Sequence, residues 1–146
     1  MFYQGTKKYP VREVILHCAA VTGNWHKNKT PQQIKDEITK WHLARGFKTF
    51  GYHGFFMPDG SFHTGRPFTT IGAHVIGKNS GTLGFLMIES QTIDRISKFS
   101  DWFTEQQRLA VRKKIKEIPG IIKVSGHNDY ANKLCPGFKV VTEDWL

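Results

Sequence analysis

The sequence lacks any hydrophobic run near the roughly 18 apolar residues that are needed to cross a bilayer, and it contains no repeat or low-complexity tract. The N-terminal stretch, MFYQGTKKYPVREV, carries charge without the apolar segment of a secretory signal, so we expect folding in a cytoplasm. Only two cysteines are present, Cys18 and Cys135. Because a cytoplasmic protein usually keeps its thiols reduced, metal ligation or simple burial is favoured over a disulfide bond.

Acidic residues are also scarce, since 12 Asp and Glu stand against 21 Lys and Arg and leave a formal net charge of +9. A balance this basic implies an anionic partner, such as nucleic acid, anionic lipid or an acidic cell-surface polymer. A basic surface that only aids solubility fits equally well. No motif of a nucleic-acid-binding protein is recognised. The hydrophobic share of 39% over 146 residues predicts one domain, residues 1–146, with a real core.

Local patterns predict strands that alternate with helices. A capping box at Thr30 and Gln33 opens a helix whose apolar face is predicted to contain Ile34, Ile38 and Trp41. Three further strand regions are predicted before the second helix: a buried strand over residues 14–21, a hairpin around Pro58-Asp59-Gly60 and a core strand over residues 82–88. The second helix starts after Thr104 and stops at Pro119, and a last short strand ends at His127. This order predicts an α/β fold, a single domain with a central mixed β-sheet flanked by helices.

Two histidines and one cysteine form a candidate metal site. His17 sits inside an apolar strand, where an imidazole without a partner is costly to bury. Alone, it would most simply be a core histidine bonded to the backbone. His127 ends another predicted strand, however, and Cys135 follows it by eight residues. Two imidazoles and one thiolate make a plausible zinc set that leaves a fourth position open for water.

Two further residues have a catalytic and an ordinary interpretation. Lys133 stands two residues before Cys135, where its charge could stabilise a developing oxyanion. A solvated loop lysine is the more common case. Tyr52 begins a predicted hairpin strand after Gly51, and it is either a core aromatic or a hydroxyl aimed at a metal-activated water.

Five motifs in order carry a resemblance to a known family. They are ILHCAA with His17, KWHLARGFKTFGYH with Tyr52 and His53, DGSFHTGRP, GAHVIGKNSGTLGF with His74, and HNDYANKLCPGF with His127, Lys133 and Cys135. Together they resemble the zinc-dependent N-acetylmuramoyl-L-alanine amidases of the type 2 family, and among these the phage endolysins. Peptidoglycan recognition proteins share that fold. The resemblance covers nearly the whole chain and departs from the family pattern at Gly54 and Lys139, neither of which is a ligand position.

The resemblance implies an activity and a set of roles. It implies hydrolysis of the amide between N-acetylmuramic acid and L-alanine, with one Zn²⁺ per chain on His17, His127 and Cys135. Lys133 would hold the oxyanion and Tyr52 would orient water or relay its proton. His53 and His74 could contact substrate or support the site. Cys18, next to His17 on a strand, would point to the opposite face as a small buried hydrophobe.

The expected partner is bacterial peptidoglycan, whose polyanionic surroundings suit a basic enzyme. We expect neither nucleic acid binding nor stable membrane insertion, and a monomer that waits in the bacterial cytoplasm. Access to the wall in the envelope would then depend on a holin-like permeabilising factor. The alternative function is a non-catalytic peptidoglycan-recognition module, which loss of the cysteine ligand would favour, but Cys135 is present.

Overall fold

The computed structural model describes all residues, 1–146, and consists of one main sheet with helices on both sides. None of the helices combines the length and the apolar character that a bilayer crossing requires. The strands are Tyr3–Gln4 (β1), Tyr9–Pro10 (β2), Glu13–Cys18 (β3), Gly54–Phe56 (β4), Phe62–Thr64 (β5), Thr82–Met87 (β6) and Lys123–Gly126 (β7). The helices are Pro31–Ala44 (α1), Phe99–Trp102 (α2) and Glu105–Lys116 (α3), with single 3₁₀ turns at His127–Asp129 and Thr142–Asp144.

The main sheet has five strands in the order β5-β4-β6-β3-β7. Strand β3 lies parallel to both β6 and β7, β4 lies parallel to β6, and only β5 is antiparallel to its neighbour. Every residue of β3 and β6 is buried, as expected for central strands covered on both faces. The prediction of an α/β fold with a central mixed sheet is confirmed.

The two faces of the sheet have different cores. Residues of β3 alternate between them, so Leu16 and Cys18 join a cluster of 17 buried residues that also includes Val111 and Ile115 of α3. The opposite face packs against α1 through a cluster of seven buried residues. His17 pairs in register with Leu86, a member of that second cluster, so its side chain lies on the α1 face. Cys18 is 5% exposed on the other face.

Helix α1 begins as the sequence predicts but presents a slightly different face. The Thr30 hydroxyl accepts the backbone N–H of Gln33, and the Gln33 side chain accepts the N–H of Thr30, which completes the capping box. Ile34 and Ile38 are buried, whereas Trp41 is 39% exposed. The third buried residue is instead His42, because its Nδ1 accepts the backbone N–H of Gly51 at 2.8 Å.

The predicted strand over residues 14–21 is shorter than expected and ends at Cys18. The backbone N–H groups of Ala19, Ala20 and Val21 donate to the carboxylate of Glu89 at 2.9, 2.9 and 3.3 Å. Because these donors are taken by a side chain, they cannot continue the strand ladder. The chain therefore turns away from the sheet directly after His17 and Cys18.

Candidate metal and catalytic site

Three side chains converge at the carboxyl end of the central strands. His17 lies near the end of β3, and His127 follows the last residue of β7. Strands β3 and β7 are parallel with Leu16 opposite Gly126, so the two histidines emerge side by side, with ring centroids 4.8 Å apart. Cys135 reaches the same point from the following loop. One potential ligand atom from each residue lies within 4.8 Å of the others.

The donor set fits a divalent metal such as zinc. The Cys135 Sγ lies 3.9 Å from the Nδ1 of His17. Tetrahedral coordination with sulfur at ~2.3 Å and nitrogen at ~2.0 Å would separate these two atoms by roughly 3.5 Å, so this pair is within a few tenths of an ångström of the required distance. A thiolate with two imidazoles is a soft ligand set, and three protein ligands leave one coordination position free. The group can therefore bind a metal ion at an open site.

The surroundings of Cys135 favour its thiolate. The backbone N–H of Cys18 donates to the Cys135 Sγ at 3.1 Å. Hydrogen bonding with the Cys18 side chain lowers the pKa of the Cys135 thiol well below its ordinary value, and hydrogen bonds with the side chains of His127 and His17 act in the same direction against the effect of burial. Since the thiolate is the form that binds metals, this environment prepares Cys135 as a ligand.

The turn that carries His127 is anchored by a residue that the sequence patterns did not reveal. The buried carboxylate of Glu13 accepts hydrogen bonds from the Ser125 hydroxyl at 2.7 Å and from the Tyr130 hydroxyl at 2.6 Å. The Asp129 carboxylate accepts the backbone N–H of Gly126 at 2.9 Å. These bonds hold the chain on both sides of His127. A charged residue at the start of an otherwise apolar strand was the one available signal for Glu13.

Two of the candidate ligands, His127 and Cys135, border a pocket of about 290 Å³ whose wall contains both predicted catalytic residues, and the fully buried His17 lies outside that wall. The pocket also contacts Arg45, Phe47, Ile76 and Tyr130. The ring of Tyr52 lies 5.0 Å from the ring of His17, and burial raises the pKa of the Tyr52 hydroxyl, which therefore stays protonated. Lys133 is exposed along the same wall and forms no ion pair. Its ammonium is thus available to contact a bound ligand.

The structure separates the two histidines for which substrate contact was predicted. His74 borders the pocket and contacts His17, with its Nδ1 2.9 Å from the Nε2 of His17. His53 is 1% exposed and lies outside the pocket wall. Its Nδ1 accepts the N–H of Gly84 at 3.0 Å, and its Nε2 donates to the carbonyl of Thr70 at 2.7 Å. Both nitrogens of His53 are occupied by backbone, so the geometry gives it no substrate contact.

Comparisons with known proteins agree with this architecture. No protein-family model matches the chain. The endolysin of Enterobacteria phage K11 is 30% identical over 138 residues, which cover 92% of this chain and 86% of the relative. Among solved structures, the N-acetylmuramoyl-L-alanine amidase LysC from Clostridium intestinale is similar with a TM-score of 0.70 and 24% identity, over 93% of this chain and 83% of that one.

A second solved structure extends the likeness of the fold. The Drosophila peptidoglycan recognition protein LB, in a variant bound to tracheal cytotoxin, is similar with a TM-score of 0.74 and 22% identity, over 98% of this chain and 82% of that one. The fold is therefore shared with both amidases and recognition proteins. On the identity and coverage of the K11 relative, the chain belongs to the family of phage endolysins.

Proposed function

We propose that the protein is a zinc-dependent endolysin that hydrolyses the amide bond between N-acetylmuramic acid and the L-alanine of the stem peptide. The observation that carries the proposal is the convergence of His17, His127 and Cys135 within 4.8 Å, beside a pocket walled by Tyr52 and Lys133. Membership of the endolysin family supports lysis of bacterial walls, and the likeness to a protein named as an N-acetylmuramoyl-L-alanine amidase supports the choice of bond.

The three converging residues would hold the metal. When bound there, zinc supplies an electrophilic centre that polarises a carbonyl group and lowers the pKa of water. The protein provides the ligands in the required form, because the hydrogen bonds to Cys135 favour its thiolate and burial lowers the pKa of His17, which keeps that imidazole neutral. One thiolate leaves the centre with a net positive charge, as an electrophile needs.

Two residues of the pocket wall would act on the substrate. The Lys133 ammonium is free of ion pairs and can donate to the oxygen that becomes negative when the amide carbonyl is attacked. The Tyr52 hydroxyl remains protonated because burial raises its pKa, so it can donate a hydrogen bond that orients water or the amide. The bonds from Tyr130 and Ser125 to Glu13 hold the segment that also carries His127 in place.

The proposed binding partners of the protein rest on its net charge and on its membership of the endolysin family. A formal charge of +9 favours attraction to polyanionic bacterial walls, with peptidoglycan as the substrate and neither nucleic acid nor membrane as a partner. We propose a monomer that stays in the bacterial cytoplasm until a holin-like factor permeabilises the membrane. Production in a bacterium should then leave cells intact until chloroform breaches the membrane. Prompt lysis without chloroform would contradict this dependence.

Mass analysis of digested peptidoglycan tests the proposed bond. Purified walls treated with the zinc-loaded protein should release free stem peptides that begin with L-alanine, and the Cys135→Ser variant should release none. New reducing ends on the glycan would instead identify a glycosidase. Retention of the protein on the walls without any released product would identify a non-catalytic recognition module. Either of the last two outcomes overturns the amidase proposal.

A further inference from the structure

A continuous line of hydrogen bonds connects the backbone to the candidate ligand His17. The Thr82 hydroxyl lies 2.7 Å from the carbonyl oxygen of Lys78 and 3.3 Å from the Nε2 of His74. The Nδ1 of His74 lies 2.9 Å from the Nε2 of His17, whose Nδ1 in turn faces the Cys135 Sγ at 3.9 Å. His17, His74 and Thr82 are all buried, at 0%, 9% and 3% exposure, so the line is largely shielded from water.

The distances favour one direction for the donors and acceptors in this line. The Thr82 hydroxyl lies 2.7 Å from the carbonyl oxygen of Lys78 and 3.2 Å from that of Asn79, both nearer than the Nε2 of His74 at 3.3 Å, so its single O–H donates to a carbonyl and its oxygen accepts the Nε2–H of His74. A neutral imidazole carries one N–H, so the Nδ1 of His74 is an acceptor and the Nε2 of His17 must donate to it. The other nitrogen of His17, Nδ1, then carries no proton, and its lone pair faces Cys135 and the space for the metal.

The protein builds a narrow slot for the His74 ring. A Cβ added at Gly84 would lie 2.6 Å from the Cγ of His74, and one added at Gly72 would lie 2.8 Å from its Cδ2. Gly84 interrupts the apolar strand β6, where a glycine weakens the sheet and commonly marks a close approach of another group. The backbone N–H groups of His74 and Val75 both donate to the Oδ1 of Asn79, at 2.8 and 2.9 Å. The position of the His74 ring is therefore fixed by the Asn79 bonds to its backbone and by the close approach of the two glycines to its sides.

We propose that His74 is a positioning residue that holds His17 in the tautomer and orientation in which Nδ1 binds the metal. The inference rests on the proposed zinc function but concerns metal affinity, and not hydrolysis itself. His74 acts through His17, while Thr82 and the Lys78 carbonyl set the direction of the His74 ring. A partner that orients a metal-binding histidine typically contributes 10- to 100-fold to metal affinity, a range of about 1.4 to 2.7 kcal/mol.

A pair of His74 variants tests the proposal. His74→Leu removes the acceptor and should weaken zinc binding by about 10- to 100-fold. His74→Asn places a carbonyl oxygen near the position of Nδ1 and should restore most of that affinity. Zinc affinity is measured by competition with a chromophoric chelator, and the visible spectrum of the cobalt(II) form reports the ligand geometry. A merely structural role would lower thermal stability in both variants without this difference in affinity.

A second pair keeps the test decisive if His74→Leu does not fold. Thr82→Val removes the hydroxyl but keeps the shape of the side chain, while Thr82→Ser keeps the hydroxyl. Zinc binding should weaken toward the ~10-fold end of the range in Thr82→Val and stay at the wild-type value in Thr82→Ser. Equal zinc affinity within both pairs, in variants with wild-type circular dichroism, would overturn the role of His74. Wild-type protein that binds zinc but releases no stem peptides would overturn the amidase proposal alone.

Discussion

Two pairs of histidines in this protein make different use of their ring nitrogens. His17 and His127 form the ligand pair, in which a nitrogen from each converges on Cys135. His42 and His53 form the backbone-bonded pair, in which the Nδ1 of each accepts a backbone N–H, from Gly51 at 2.8 Å and from Gly84 at 3.0 Å. The comparison shows that burial alone does not identify a ligand. What matters is whether a nitrogen lone pair remains free after the local hydrogen bonds are made.

Burial acts in the same sense on His17 of the ligand pair and on both rings of the backbone-bonded pair. Desolvation lowers the pKa of His17, and it lowers the pKa of both His42 and His53 to about 4. All three rings are therefore neutral near pH 7 and offer a lone pair. The backbone-bonded pair uses its lone pairs to satisfy backbone groups of the chain itself, and His17 keeps one for a metal. Changes at the ligand pair should accordingly alter zinc and turnover, whereas changes at the backbone-bonded pair should alter stability.

The largest effect is expected at Cys135. Cys135→Ser replaces a thiolate, which the surroundings favour, with a neutral hydroxyl that is a much poorer zinc ligand. We expect loss of both bound zinc and amidase activity, measured by elemental analysis and by release of stem peptides. Cys18→Ser is the matched control, because it keeps both the backbone N–H and a side-chain donor beside Cys135 and should retain both zinc and activity. Full zinc occupancy in Cys135→Ser would refute the ligand assignment.

The next effect is expected at Lys133, which lies in the pocket wall but outside the ligand set. Lys133→Ala should retain zinc and lower kcat by about 100-fold or more, as is typical when one donor to an oxyanion is removed. Turnover of a soluble muropeptide measures the effect without any contribution from attraction to whole walls. Lys139→Ala removes an exposed lysine outside this pocket and is the control. Equal turnover in the two variants would remove Lys133 from the catalytic residues.

A smaller effect is expected at Tyr52. Tyr52→Phe keeps the ring that packs beside His17 and removes only the hydroxyl. Zinc content should be unchanged, and kcat should fall about 10-fold, which corresponds to one hydrogen bond of ~1.4 kcal/mol. The same substitution at the exposed Tyr3 serves as the control. A Tyr52→Phe variant that turns over substrate at the wild-type rate would leave this residue with a packing role only.

The smallest effect is expected in the backbone-bonded pair and concerns stability. The pKa of His42 is about 4 in the folded protein and 6.5 ordinarily, so between these pH values the unfolded chain binds a proton that the folded chain does not. The free energy of unfolding should therefore fall as the pH drops from 6.5 to 4, by about 1 kcal/mol, because His42 borders the pocket and solvent there moderates the full effect of burial.

The matched variant for this prediction is His42→Asn. Its amide oxygen can still accept the Gly51 N–H, but the side chain does not titrate. It should reduce the loss of stability between pH 6.5 and pH 4, measured by urea unfolding of chelator-treated protein, while zinc affinity at pH 7 stays at the wild-type value. A pH slope equal to that of the wild-type protein would show that burial of His42 is not a source of acid sensitivity. A large loss of zinc affinity would erase the distinction between the two pairs.

Much of the fold was predictable because its signals are local. The predicted capping box of Thr30 with Gln33 forms, and the helix predicted after Thr104 begins there with a second box that pairs Thr104 with Gln107, so in both cases the bonded residues are three apart. The Pro58-Asp59-Gly60 turn joins β4 to β5, with Phe56 opposite Phe62. Each of these features depends on a short stretch of chain whose preferences are independent of the rest of the molecule.

The apolar face of α1 shows where local periodicity stops being sufficient. The spacing of Ile34, Ile38 and Trp41 predicts a regular stripe, but the last turn of the helix buries His42 instead. A hydrogen bond to Gly51, nine residues away, decides between neighbouring positions on that turn. Likewise, Glu89 ends β3 early by accepting N–H groups from a segment about 70 residues distant in sequence.

By itself, the sequence determined the elements, the mixed sheet and the residue types of the candidate ligand set, because motifs and periodic patterns are written in neighbouring residues. Only the tertiary structure decided which imidazole nitrogens stay free. His74 lies 57 residues from His17 in sequence, and Glu13 lies 117 residues from Tyr130. No local pattern encodes such pairs, since each forms only when parallel strands bring distant segments together and the buried polar atoms must find partners.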